Sequence, residues 1–201
     1  MSKGARGVRY AEVDRETTET RVHVVLDIDG GTKQDIATGV PFFDHMLELL
    51  AFHAQFDLGV EAEGDLGVDD HHTVEDVGIV LGKAFREALS GNDPIVRYGS
   101  NHTPMDEALV LTAIDFSGRG HYFFEGDFRS DRIGQMSTQS IPEFFKSLCA
   151  HSGLTLHHRV LTGANDHHIA EAMFKGLGRA LFEATRTTER RTPSSTKGKI
   201  D

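Results

Sequence analysis

Residues 70–88, DHHTVEDVGIVLGKAFREA, and residues 166–184, DHHIAEAMFKGLGRALFEA, state one phrase twice. His71, His72, Glu75, Gly82, Ala84, Glu87 and Ala88 fall on His167, His168, Glu171, Gly178, Ala180, Glu183 and Ala184 at a constant offset of 96. Upstream, TETRVHVVLDIDGG (18–31) follows the pattern of DEALVLTAIDFSGR (106–119), with Glu19 over Glu107 and Asp27 over Asp115 at an offset of 88. GVPFFDHMLELLAFH (39–53) and SIPEFFKSLCAHSG (140–153) correspond more loosely. A duplication of this length constrains the chain to two like halves. Each half reads as a strand hairpin, a helix, a further strand region and a second helix. Residues 21–28 and 108–116 are rich in β-branched residues and bounded by glycine, as strands are. Residues 72–90 and 168–186 have helical apolar spacing. SGNDPIVRYGS (90–100) is a turn-rich seam. The expected organisation is a single domain made of a first half-repeat (1–93), a second (94–190) and a polar C-terminal tail (191–201) that alone reads as flexible.

The phrase has chemistry in it. At ~100° per residue, helix positions four apart lie about 40° apart, and positions three apart about 60°. His71 therefore shares a face with Glu75, with His72 on that carboxylate's other side, and the same holds for His167, His168 and Glu171. Imidazole and carboxylate together suit a divalent transition metal. Adjacent histidines diverge by about 100° on a helix, so they are expected to serve different ions. Two copies then imply a two-metal site with ligands mixed between halves or between subunits. A lone His-His pair is ordinarily a solvated feature or a helix cap, but a pair kept in phase with glutamate through a duplication is not. There is no His-Glu-x-x-His motif. The single cysteine, Cys149, excludes an intramolecular disulfide and a cysteine-zinc site.

Other residues join as candidates. His45, beside the acidic Asp44, is a ligand candidate, whereas His53 reads as a helix-end histidine favoured by the dipole. His157 and His158 alternate faces on a short strand, so one is expected to reach a metal and the other to face solvent. Arg97 and Arg119 lie in glycine-bearing turns, where a guanidinium forks onto phosphate. Lys175, eight residues after His167, joins the ligand face at about 80° on the helical wheel, although most helix lysines are simply solvated. SSTKG (194–198) offers hydroxyls, amides and Lys197 to an anion. VVLDIDGGT (24–32) resembles the Asp-x-Asp-Gly-Thr nucleophile of haloacid-dehalogenase-type phosphatases, but an extra glycine precedes Thr32 and the repeat partner has Ser117 in place of Asp29. A tight β-hairpin is the simpler expectation. The net charge of −10 argues against general nucleic-acid binding. No apolar run approaches a membrane span and the N-terminus carries no secretory pattern, so a cytoplasmic protein is expected.

ETRV, VPFFDHML, DDHHTVEDVGIVLG, RYG, DFSGRG, TLH, HHIAEAMFKGLGRAL and PSSTKG together resemble imidazoleglycerol-phosphate dehydratase, over residues 8 to 198. The resemblance implies an α/β fold (an α+β sandwich) of internally duplicated half-domains, with helices packed between two mainly four-stranded sheets. It implies a hydro-lyase of histidine biosynthesis. The reaction converts D-erythro-imidazole glycerol phosphate to imidazole acetol phosphate and water through an imidazolate and diazafulvene-type elimination. Two Mn²⁺ ions per active site are implied, held at subunit contacts of a homo-oligomer whose trimers build a 24-subunit shell. The metal positions it carries over are His45, His71, His72, Glu75, His157, His167, His168 and Glu171. Glu19 takes proton transfer, with Glu171 as the other candidate base and Glu75 as a further catalytic carboxylate. Glu19, His45, Arg97, Arg119, Lys175, Ser195 and Lys197 match substrate contacts. The competing class is a non-catalytic metal-binding assembly protein, which has no need for clustered basic anchors.

Overall fold

The computed structural model describes residues 9–91 and 94–188. The first half runs β1 (Tyr10–Glu16), β2 (Thr20–Asp27), β3 (Gln34–Ala37), α1 (Pro41–Ala54), β4 (Asp57–Gly64) and α2 (His71–Ala88). The second runs β5 (Tyr98–Met105), β6 (Ala108–Asp115), β7 (His121–Glu125), β8 (Arg132–Ile133), β9 (Met136–Ser137), α3 (Ser140–Ser152), β10 (Thr155–Thr162) and α4 (Asp166–Ala184). The sheet orders are β1-β2-β4-β3 and β5-β6-β10-β7, so every strand has a repeat partner in the same place. The pairing senses agree too. The first three strands of each sheet are antiparallel, and the last pairs parallel with its neighbour. Among the described residues only the β8–β9 ribbon lacks a counterpart; its insertion raises the repeat offset from 88 at β7 to 98 at α3 and β10, and a shorter connection from β10 to α4 brings it to 96.

Each sheet buries one face. β2 alternates, with Val22, Val24 and Leu26 buried, and β6 does the same with Ala108, Val110 and Ile114. α2 lies on the first sheet against β1, β2 and β4, and α4 lies on the second against β5 and β6. The other two helices cross over: α1 packs on α4 and α3 on α2. Each half therefore completes the other's helix layer. Phe43 of α1 meets Phe144 of α3 edge-on at 5.2 Å, and Phe144 stacks on Phe174 of α4 at 5.4 Å. One aromatic core thus joins the halves.

The repeated glycines explain the close helix crossings. A Cβ at Gly82 would lie 2.7 Å from the Leu148 carbonyl oxygen, and one at Gly178 would lie 2.5 Å from that of Leu50. Both contacts are with backbone, which cannot swing aside as a side chain does. α1 begins with Pro41 in its first turn, where a missing N–H costs nothing, and Asp44 Oδ1 accepts from the amide and hydroxyl of Thr38. α4 has Asn165 as its cap, accepting from the His167 amide.

Two expectations are corrected. DIDGGT is not a hairpin turn: β3 pairs with β4 rather than β2, so residues 28–33 carry the chain past β4. Its glycines serve Asp57, whose Oδ1 accepts the amides of Gly31 and Lys33, both at 2.8 Å. The helices of the repeated phrase start and end earlier than their apolar spacing predicts, at 71–88 and 166–184. No helix among the described residues is long and apolar enough to cross a membrane.

Candidate metal centre and active site

Among the described residues one donor cluster is assembled. His45 from α1 and His167 and Glu171 from α4 bring ligand atoms within 4.8 Å of one another. Both imidazoles aim at the same oxygen: Nε2 of His45 stands 3.2 Å and Nε2 of His167 3.0 Å from Glu171 Oε1. The α1–α4 packing makes this possible, since it lays the start of α1 across the first turns of α4. Lys175, one turn beyond Glu171, takes the other oxygen, Oε2. Glu171 is buried, which by itself would raise its pKa. The hydrogen bonds from Lys175, His167 and His45 outweigh that and hold it at about 2. The carboxylate is therefore ionised at neutral pH and fits a cation.

The second histidine of each phrase is held differently. His72 Nδ1 lies 3.1 Å from each oxygen of Asp65 and 3.9 Å from Glu19 Oε2. His168 Nδ1 lies 2.7 Å from Glu107 Oε2, with Asp106 Oδ2 3.6 Å from its Nε2. The Asp65 hydrogen bond raises the His72 pKa, and that of Glu107 raises the His168 pKa. Glu107 falls to about 2, chiefly through His168 and then through the Asn165 and Ala164 amides. In the first copy His71 Nε2 is 3.8 Å from Glu75 Oε2, and both side chains remain partly open.

The remaining candidates are scattered. His157 faces outward on the second sheet, stacked on Phe123 with ring centroids 4.5 Å apart, away from the α1–α4 cluster. His158 corrects the expectation of a solvent-facing neighbour, because it points into the core. It is 1% exposed, packed edge-on against Phe145 at 4.7 Å, and burial pushes its pKa down to about 3. Arg97 sits in the left-handed region (φ 76°), is buried, and forks onto Asp115 at 2.6 and 3.1 Å. Arg119 is exposed, 3.9 Å from the same carboxylate. His53 ends α1 and lines a separate polar cleft of about 340 Å³ with Gln55, Ser100, Asn101, Arg179, Phe182 and Glu183. Ser195 and Lys197 lie outside the described residues. Sequence reasoning missed Asp65, Glu107 and Asp115. Of these, Glu107 was recoverable as the repeat partner of Glu19; Asp65 stands opposite no carboxylate in the other half.

The comparisons agree with this architecture. The family model described as imidazoleglycerol-phosphate dehydratase matches residues 38–181. The imidazoleglycerol-phosphate dehydratase of Acetivibrio thermocellus is 52% identical over 193 residues, covering 96% of this chain and 99% of its own. That of Azorhizobium caulinodans is 53% identical over 177 residues, covering 88% and 90%. The crystal structure of imidazoleglycerol-phosphate dehydratase from Staphylococcus aureus superposes with a TM-score of 0.81 at 35% identity, covering 89% of this chain and 99% of that one.

Proposed function

The chain belongs to the imidazoleglycerol-phosphate dehydratase family, hydro-lyases of histidine biosynthesis, and from that premise we propose that it dehydrates D-erythro-imidazole glycerol phosphate to imidazole acetol phosphate at a site holding two Mn²⁺ ions. The observation that carries the metal part is the convergence of His45, His167 and ionised Glu171 on one point. Two imidazoles and a carboxylate are a donor set suited to Mn²⁺. His71, His72, Glu75, His157 and His168 are the further ligands in this reading. When bound, the ions would supply electrophilic stabilisation of negative charge on the substrate's imidazole ring.

The chain's own groups account for the proton movements. The reaction removes a carbon-bound proton and the neighbouring hydroxyl, which leaves as water; the enol so formed becomes the ketone. A base must be ionised yet basic enough to accept that proton. Glu171 is already engaged by Lys175, His167 and His45. Glu19 is half exposed, and its nearest ionic partner is His72 at 3.9 Å, so it is the base in this reading. Lys175 lies beside Glu171, where a metal-storage site would have no use for a competing ammonium but an anionic substrate would. Arg119 presents an open guanidinium to the phosphate, while Arg97, already forked onto Asp115, braces that turn. Ser195 and Lys197 are assigned to the same phosphate.

His157 lies on the outer face of the second sheet, so it joins a metal set only if another copy docks there. This supports a homo-oligomer with its ions at subunit contacts, in keeping with trimers that build a 24-subunit shell. The test is a dehydratase assay on chelator-stripped protein with and without Mn²⁺, beside the His72→Ala, His168→Ala double variant. Ketone formation that requires Mn²⁺ and is lost in the variant is expected. Folded, metal-loaded protein without turnover would favour the non-catalytic assembly reading instead.

A further inference from the structure

Glu19 and Glu107 are repeat partners by topology as well as by pattern: each immediately precedes the second strand of its sheet, β2 at Thr20 and β6 at Ala108. They are used differently. Glu107 Oε2 holds His168 Nδ1 at 2.7 Å, while its Oε1 accepts the amides of Ala164 at 3.1 Å and Asn165 at 2.8 Å. It is thus pinned from behind by the loop that opens α4. Glu19 stands back from His72 at 3.9 Å. The place against that ring is taken by Asp65, both of whose oxygens lie 3.1 Å from Nδ1. Asp65 directly follows β4; the residue directly following β10 is Gly163, which has no carboxylate to offer.

We propose that Asp65 and Glu107 are positioning residues that orient His72 and His168, and that Asp65, by taking over His72, frees Glu19 for proton transfer. The part concerning Glu19 rests on the dehydratase reading above. An ionised carboxylate can only accept, so Nδ1 of each ring carries the hydrogen and the lone pair lies on Nε2, at the ring's outer edge. Both second histidines therefore present Nε2 as a ready ligand atom. For His168, Asp106 Oδ2 stands 3.6 Å from that atom, a further anionic oxygen on the same side. The duplication kept one glutamate position and divided its work. In the second half it still orients histidine, and in the first half a neighbour does so.

The test compares E107Q, D65N and E19Q in the full chain. Mn²⁺ affinity is read from the free-ion paramagnetic resonance signal, and turnover is measured at saturating Mn²⁺. Loss of an orienting carboxylate is expected to weaken Mn²⁺ binding by about 10–100-fold in E107Q and in D65N. E19Q is expected to bind Mn²⁺ within about threefold of the unaltered chain while losing about 10²–10⁴-fold in kcat. Wild-type Mn²⁺ affinity in both E107Q and D65N overturns the positioning roles, and E19Q weakening Mn²⁺ as much as E107Q overturns the division of work. Melting curves of the metal-free variants separate misfolding from lost orientation, and since Asp65 and Glu107 lie in different halves, a failure of one variant to fold leaves the other decisive. If the unaltered chain binds Mn²⁺ but never turns over, the dehydratase reading falls and takes the Glu19 part with it. The affinities of E107Q and D65N still decide the rest.

Discussion

The two copies of the His-His-Glu phrase have the same residues and different surroundings. In α4, Glu171 is buried and gathers His45, His167 and Lys175. In α2, Glu75 is partly open and, among the described residues, meets only His71, at 3.8 Å. The causes lie outside the phrase. α1 and α3 both end in a left-handed cap, at Gln55 and Gly153. Counting back the same distance from each cap places Glu143 where α1 has His45, and Glu143 is tied to Lys146 at 3.0 Å. The α2 position matching Lys175 is Ile79. One copy is thus closed by its own chain, and the other is left partly open to solvent. A duplication preserves ligands more readily than it preserves what surrounds them.

The largest effect that would break this comparison concerns turnover. Glu171→Gln removes the charge on which three donors converge, and should weaken Mn²⁺ binding by at least about 10–100-fold, with kcat/KM falling accordingly in steady-state assays at fixed Mn²⁺. Lys175→Met should raise KM for the phosphorylated substrate and leave Mn²⁺ affinity undiminished, because it removes a cation that competes for Glu171. Weaker Mn²⁺ binding in Lys175→Met would mean that the ammonium serves the carboxylate and not the substrate.

The helix crossings predict equality rather than contrast. Gly82→Ala and Gly178→Ala each drive a Cβ into a carbonyl oxygen at under 3 Å. Overpacking of this kind costs about 1–3 kcal/mol, against a gain of about 1 from replacing glycine inside a helix. Backbone cannot yield cheaply, so both variants should be destabilised in urea titrations, and by similar amounts. A clear inequality would show that one crossing is looser than the other.

The sheets differ at several buried positions, and at one of them the difference is titratable. His158 is the fourth residue of β10, and Val60 is the fourth of β4. Neutral His158, at about 3, lies well below the value it takes when unfolded, about 6.5. Its contribution is complete above about pH 6.5 and is lost as pH falls toward 3, at up to about 1.4 kcal/mol per unit, because the unfolded chain binds the proton first. His158→Val makes the second sheet like the first at this position. Urea titrations of metal-free protein at pH 7 and 5 should show a smaller loss of stability for the variant; equal losses would place the acid sensitivity elsewhere.

Much of this was legible in the chain because it was written twice. Gly82 and Gly178 hold repeat positions and each sits at a close helix crossing, and the in-phase spacing puts Glu171 on the face where His167 meets it. What was not legible depends on how the halves interlock. Nothing local in PFFDHML says that α1 packs on α4, and so nothing local says which carboxylate His45 will meet. The alternation of His157 and His158 showed that they part company, but only the layering of the sheet shows which one enters the core. Asp65 was hidden because the other half has glycine at the corresponding place. The ribbon of β8 and β9, lacking a partner, could register only as a change of offset.

The smallest expected effect is the sharpest on the original contrast. Glu75→Gln and Glu171→Gln make the same chemical change at matching sites of the two helices. In metal-free protein Glu75 has one partly solvated partner at 3.8 Å, so its substitution should change stability by no more than about 0.5 kcal/mol. Glu171→Gln strips the charge from a buried group facing Lys175 and two histidines, and should cost about 1–3 kcal/mol. The sign of the pH dependence follows the same logic. The depressed pKa of Glu171 makes its contribution complete above the ordinary carboxylate range and lost as pH falls toward 2, so the gap between the two variants should shrink in acid. An equal cost for both in metal-free protein would mean that the closed and open copies differ in appearance but not in energy, and that the ions, not the chain, make the distinction.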